Sequence, residues 1–144
     1  MKIAFVFPGQ GSQSIGMLSE LASRYPIVEK TFSEASDQLD CDLWETAQNG
    51  SVDTLNLTQI TQPAMLAAGV AVWRVWQQEA SSVSQPVVLA GHSLGEYTAL
   101  VCSGCLDLSV ASKLVADRGR FMQDAVPMGE GAMAAVIGLE DADI

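Results

Sequence analysis

Apolar residues in this chain come in blocks, and the length of the blocks alternates. Residues 2–7 are apolar after Lys2 and short, as expected of a strand buried on both faces. Pro8 ends that run, and Gly9-Gln10-Gly11-Ser12-Gln13 reads as a loop leading towards a helix near 15–24. Helical runs follow at 26–39, with Pro26 at a natural first-turn position, and at 43–48, before Asn49-Gly50 breaks the chain. The strongest helix is expected over 63–79, with Thr61 and Gln62 ahead of a first-turn Pro63. Its broad apolar surface, including Met65, Leu66, Val70, Trp73 and Trp76, implies deep burial. A polar loop at 81–85 precedes a second strand at 87–90 and a helix at 96–102. A longer helix at 108–125, a linker at 127–131 and a third strand at 132–137 complete the pattern.

Strands alternating with helices predict an α/β fold with a parallel sheet. About three strands stand against six helices, however, and a parallel sheet needs both faces covered. Residues 139–144 also resemble the opening of a further helix. The expectation is an incomplete parallel-sheet core, the N-terminal part of a longer polypeptide.

The junction between the second strand and its helix carries the chemistry. Gly91-His92-Ser93-Leu94-Gly95 has the Gly-x-Ser-x-Gly spacing of a nucleophile elbow. Such a turn reverses sharply to hold the serine hydroxyl clear of the backbone, and residues without a Cβ let strand and helix pass closely. It also sets Ser93 at a helix N-terminus, where unpaired N–H groups favour a developing negative charge. A serine nucleophile needs a base. The only histidine is His92, beside Ser93 on a turn where neighbouring side chains diverge.

A second candidate is Arg118. At helical spacing it falls amid Val110, Leu114, Phe121, Met122 and Ala125, while Lys113, Asp117, Arg120 and Asp124 lie on the other side. A guanidinium on a core-directed apolar face needs an anion or several acceptors. A structural salt bridge and a ligand-binding role both meet that need.

Composition narrows the partners. The chain has 144 residues, 49% hydrophobic and 17% charged, which fits one globular domain or part of one. A net charge of −10 argues against nucleic acid or an anionic membrane as partner. The apolar run 3–7 is too short for a signal-peptide core and 64–73 too short to span a bilayer, so a cytoplasmic location is expected. Three cysteines make no disulfide framework, and Cys102-Ser103-Gly104-Cys105 lacks a second ligand pair, so these thiols read as small core-lining groups and no metal site is expected. Gly9-Gln10-Gly11 lacks the continuation of either a dinucleotide or a P-loop motif. Glu96, in the first turn after the elbow, suits the helix dipole.

Four motifs in order, Phe7-Pro8-Gly9-Gln10-Gly11-Ser12-Gln13, Thr61-Gln62-Pro63-Ala64, Gly91-His92-Ser93-Leu94-Gly95-Glu96 and Arg118-Gly119, resemble the malonyl-CoA:acyl carrier protein transacylases of bacterial fatty-acid synthesis. The chain is similar also to acyltransferase domains of polyketide synthases. The resemblance implies an α/β-hydrolase-like core over residues 1–127 and the start of a small ferredoxin-like subdomain over 128–144. It implies that Ser93 takes malonyl from malonyl-CoA and passes it to the phosphopantetheine thiol of acyl carrier protein. By the same resemblance the backbone N–H groups of Gln10 and Leu94 form the oxyanion hole and Arg118 binds the malonyl carboxylate. The family's catalytic histidine lies later than residue 144, so His92 is left as a pocket-lining residue and this chain alone is expected to be inactive. No cofactor is implied. Leu94 within the elbow suits the malonyl-specific bacterial form. Two other readings compete: a serine hydrolase or thioesterase sharing the elbow, and an inert fragment completed by a complementary C-terminal polypeptide.

Overall fold

A computed structural model describes residues 2–80, 85–126, 130–131, 136–140 and 142. Strand β1 (Ala4–Phe7) is followed by helices α1 (Ser19–Arg24), α2 (Ile27–Ser36), α3 (Leu43–Asn49), α4 (Val52–Leu55) and α5 (Thr58–Glu79). Strand β2 (Val88–Gly91) then leads into α6 (Leu94–Cys102) and α7 (Leu108–Ala125). The two strands pair in parallel with Ala4 opposite Val88 and Phe7 opposite Gly91. That register sets the loop after β1 and the turn after β2 side by side at the same end of the sheet.

Helix α5 is the centre of the molecule. Its 22 residues include a buried stretch from Thr61 to Ala68, continued by Val70, Ala71, Trp73 and Val75. Around it Phe32 of α2, Leu43 of α3, Leu55 of α4, Leu94 of α6 and Val115 of α7 are all fully buried. A smaller cluster joins helix to sheet: Phe5 of β1 meets the ring edges of Trp73 and Trp76 at 5.1 and 4.7 Å. Polar ties reinforce the helix contacts. Arg74 of α5 donates to both carboxylate oxygens of Glu34, at 2.6 and 3.1 Å. Ser112 of α7 donates to the Ala35 carbonyl of α2.

Several boundaries differ from the sequence expectation. Helix α5 begins at Thr58, so Pro63 lies inside it, and Thr61 and Gln62 are buried within the helix instead of preceding it. The extra turn is held from outside, because the α7 backbone at Gly119 lies against Thr58 and Gln59. Helix α1 starts only at Ser19, since Gly16 and Leu18 are in the left-handed region and turn the chain. Helix α2 is shorter than expected and has Pro26 as its N-cap. The short α4, capped by Ser51, was not anticipated.

Helix α7 has the expected limits but a different buried face. Leu108, Ala111, Ser112, Val115 and Gly119 are buried, whereas Val110, Leu114, Phe121 and Met122 are 40–63% exposed. Small side chains let α7 approach α2 and α5 closely, and the larger apolar ones are left on the open side. Arg118 therefore lies at the border of that open face and not in a core-directed one. The thiols also correct the expectation: Cys41 and Cys102 pack against the core, but Cys105 is exposed. Of the expected linker and third strand, 127–129 and 132–135 lie outside the described residues, as does the proposed boundary at 127/128. Val136 and Ile137, which are described, are exposed and not in a strand. Among the described residues, no helix is long and apolar enough to cross a membrane.

Candidate active site

Ser93 is the residue between β2 and α6, and its backbone shows what the turn demands. Its φ and ψ are 55° and −110°, a combination rare for any residue with a Cβ. Such a conformation costs on the order of 1–3 kcal/mol and persists only where the surroundings impose it. Here packing imposes it. A Cβ at Gly91 would overlap the Gly95 backbone, and one at Gly95 would overlap the Phe7 carbonyl oxygen. The α6 N-terminus is thereby pressed against the end of β1, and the Ser93 side chain is left exposed at the surface. Gly95 N–H donates to the His92 carbonyl at 3.0 Å, closing the turn.

The loop after β1 completes this end of the sheet. The His92 carbonyl oxygen lies 3.2 Å from where a Gly9 Cβ would sit, so the loop runs directly beside the elbow. Gln10, the next residue, is exposed there. Leu94 is the first residue of α6, and its side chain is buried. The Leu94 N–H precedes the helix's own hydrogen-bond ladder, which suits it to meet an anion, whereas those of Gly95 and Glu96 are bonded to the His92 and Ser93 carbonyls. The structure thus brings Gln10, Ser93 and Leu94 to one edge. His92 is exposed on the same turn and Glu96 on the first turn of α6.

The helical layer supplies the charge. Arg118 Nη2 of α7 donates to Ser93 Oγ at 3.0 Å, and Nη1 donates to Gln62 Oε1 of α5 at 2.7 Å. The guanidinium also lies 5.7 Å from the centre of the Tyr97 ring, within cation–π range. Beside it an apolar hollow of about 340 Å³ is lined by Leu114, Phe121, Met122 and Ala125, with Asp117 at its rim. Gly119 explains the reach of Arg118. A Cβ there would lie 2.6 Å from the Thr58 carbonyl oxygen, so only glycine lets α7 cross the start of α5 this closely. Gln62, Tyr97 and Gly119 were not assigned roles from sequence. No sequence signal marked the first, because Gln62 follows the polar Thr58, Gln59 and Thr61 and only its burial in the folded chain sets it apart.

The arrangement favours acyl transfer at serine. A guanidinium hydrogen-bonded to Oγ stabilises negative charge, but it cannot accept the hydroxyl proton. Among the described residues, the side-chain bond to Ser93 Oγ is the one from Arg118. The C-x-x-C thiols stand apart from this chemistry: burial pushes Cys102 up to about 12, which suppresses its thiolate. No group of three metal-binding side chains occurs among the described residues.

A strained serine between strand and helix, with a glycine loop beside it and an arginine upon it, defines a serine acyltransferase class of site. The chain belongs to the acyl transferase domain family, whose pattern it matches over residues 4–143. Its relatives include the malonyl CoA-acyl carrier protein transacylase of Salmonella typhimurium, 59% identical over 99% of this chain and 46% of that protein. That of Bacillus subtilis is 45% identical over 96% of this chain and 43% of its own length. Among solved structures, the acyl carrier protein S-malonyltransferase of Vibrio cholerae is 60% identical, with a TM-score of 0.90 over 99% of this chain and 46% of that one. A malonyl-transacylase solved in complex with a type II PKS acyl-carrier protein is 56% identical, with a TM-score of 0.85 over 90% of this chain and 41% of that one. The fold is the α/β, hydrolase-like one of these acyltransferases, over their N-terminal part. The chain spans less than half the length of these relatives.

Proposed function

We propose that the protein carrying this chain transfers a malonyl group from malonyl-CoA to the phosphopantetheine thiol of acyl carrier protein. Ser93 Oγ adds to the thioester carbonyl as its proton passes to a general base. Collapse of the tetrahedral oxyanion then breaks the C–S bond, the base returning the proton so that CoA leaves as the thiol. The carrier's thiol then attacks the malonyl-serine ester and returns the hydroxyl to Ser93. In this reading the N–H groups of Gln10 and Leu94 receive the oxyanion of each tetrahedral intermediate, an effect worth about 3 kcal/mol per donor. The general base is assigned to a residue beyond this chain, because His92 adjoins Ser93 on a turn where neighbouring side chains diverge, and among the described residues the side-chain bond to Ser93 Oγ comes from Arg118. The reaction needs no cofactor, and its soluble substrates fit a cytoplasmic enzyme.

The observation that carries this reading is the Arg118 guanidinium 3.0 Å from Ser93 Oγ. A hydrolase acting on neutral acyl groups has no use for a cation upon its nucleophile, whereas a malonyl ester places its free carboxylate a few bonds from Oγ. A charge-assisted pair with that carboxylate is roughly twice as strong as a neutral hydrogen bond. The test is acyl-enzyme formation in the intact protein, followed by mass spectrometry. Malonyl-CoA should add one malonyl group, lost in Ser93→Ala, and Arg118→Ala should impair malonyl loading far more than acetyl loading. Equal impairment of both would remove Arg118 from recognition, and labelling that survives Ser93→Ala would move the nucleophile elsewhere.

A further inference from the structure

The Arg118 guanidinium rests on an uncharged support. Gln62, 0% exposed, sits in a buried stretch of α5 whose next turn is Ala64, Met65 and Leu66. A buried amide in such surroundings is costly unless its groups are paired. Gln62 has both ends occupied: Oε1 accepts from Arg118 at 2.7 Å, and Nε2 donates to Met122 Sδ at 3.4 Å. The guanidinium can only donate, so it fixes the amide with its oxygen towards Arg118 and its nitrogen towards Met122. The amide in turn fixes one edge of the guanidinium and leaves the other directed at Ser93.

The charge balance is what makes this arrangement informative. The chain has 17 acidic residues against 7 Lys and Arg, so carboxylate partners are plentiful. Arg24, Arg74, Lys113 and Arg120 each pair with one. Among the described residues Arg118 forms no ion pair, although Asp117 adjoins it in sequence and pairs with Lys113 and Arg120 instead. An amide oxygen can orient a guanidinium without neutralising it. A carboxylate in the same place would form a half-buried internal pair that an incoming anion must break.

We propose that Gln62 is a positioning and specificity-determining residue for acyl transfer: it holds Arg118 over Ser93 while leaving its positive charge free for the carboxylate of the acyl group. The inference rests on the reading of Arg118 given above.

The experiment compares Gln62→Glu, Gln62→Met and Arg118→Ala in the intact protein, with KM and kcat for loading from malonyl-CoA and from acetyl-CoA. Gln62→Glu keeps shape and acceptor but supplies an internal anion. It should raise the malonyl-CoA KM about tenfold or more and leave acetyl loading within about twofold. Gln62→Met, near in volume, removes the acceptor and should raise the malonyl-CoA KM about threefold, since the charge stays free. A purely structural Gln62 gives a different pattern: Met, which loses the hydrogen bond, is the worse variant, or both substrates fall by one factor in each. Either pattern overturns the proposal. Should Gln62→Glu fail to fold, Gln62→Met decides alone, through a selective or a uniform loss. If Arg118→Ala is selective and the Gln62 variants are not, this inference fails and the Arg118 reading stands. If Arg118→Ala itself is unselective, the Arg118 reading fails first.

Discussion

The helical side and the sheet side of this molecule are built to different standards. Around α5, side chains such as Phe32, Leu43, Leu66 and Val115 are fully buried. In the sheet, Val6 and Val88 are 75% and 51% exposed, and the two described strands pair only with each other. A helix satisfies its own backbone and needs only one apolar stripe covered, so α2, α3, α5 and α7 close a core among themselves. A parallel strand needs neighbours and cover on both faces. The candidate site straddles the divide, with Ser93 at the end of the sheet and Gln62 and Arg118 in the helical layer. The position of Ser93 thus depends on how the sheet end is packed, and the charge upon it depends on the helical layer.

Gly95→Ala and Leu66→Ala should separate these dependences, and they carry the largest expected effects. The added methyl at Gly95 meets the Phe7 backbone, which cannot rotate away. A stability loss of about 3 kcal/mol is expected, together with loss of Ser93 acylation as the elbow opens. Leu66→Ala empties a fully buried site in the helical core and should cost about 2–5 kcal/mol. Below its melting temperature it should nevertheless keep the preference for malonyl over acetyl. Urea unfolding and acyl-enzyme mass spectrometry measure both. Retained acylation in Gly95→Ala would show that the sheet end does not control the nucleophile.

Gly119→Ala tests the bridge between the two sides. Alanine favours a helix over glycine by about 1 kcal/mol. Its methyl, however, would lie 2.6 Å from the Thr58 carbonyl oxygen and 2.7 Å from Gln59 Cα. The clash is with backbone, so it should win, with a net loss of about 1–2 kcal/mol. As α7 moves out, Arg118 should lose its place on Gln62 and Ser93, and malonyl loading should drop about tenfold or more. Unchanged malonyl loading would mean that Arg118 reaches Ser93 without this close crossing.

These cases also mark what the sequence could tell. The elbow was legible because its chemistry is local: two glycines, a serine and a strand–helix junction lie within five residues. The limits of α7 were legible too, and the structure shows Asp107 capping it by accepting from the N–H groups of Ser109 and Val110. Which face of α7 is buried was not, because periodicity counts apolar residues while packing here selects small ones, Ala111, Ser112 and Gly119. The start of α5 was hidden for a related reason. A proline usually marks a first turn, and the turn before Pro63 is held by a contact 60 residues away in sequence, through Gly119 and Gln59. Gln62 falls ahead of the expected helix for that reason, and its pairing with Arg118 is visible only once both helices are in position.

A smaller effect should follow from the strain at Ser93. Glycine accepts a φ of 55° and a ψ of −110° far more readily than alanine does. Ser93→Gly should therefore be more stable than Ser93→Ala by about 1 kcal/mol, although both lose the nucleophile. Both variants lack the hydroxyl that Arg118 bonds, so that loss cancels in the comparison. Differential scanning calorimetry on the two variants gives the difference directly. Equal stability would mean that the elbow relaxes when the hydroxyl is removed, and that Ser93 is not held strained by the glycine packing around it.

The smallest effect concerns the thiol between the two sides. Cys102 packs against both the helical core and the aromatic cluster at the sheet, and burial pushes it up to about 12, while Arg74 acts weakly in the opposite direction. Cys105, three residues later, is exposed. At pH 8.5 iodoacetamide should alkylate Cys105 at least about tenfold faster than Cys102, because the thiolate is the reacting form. The linkage has a definite sign. The unfolded thiol titrates near 9.0, below the folded value, so the unfolded state loses its proton first. Stability from this group is complete below pH 9 and declines as pH rises towards 12. Cys102→Ala should flatten that alkaline decline, read as the pH dependence of the urea midpoint. Equal alkylation of the two thiols in the folded protein would show that the junction between helical core and sheet opens readily. The helical layer would then be no more rigid at its sheet-facing edge than the strands it supports.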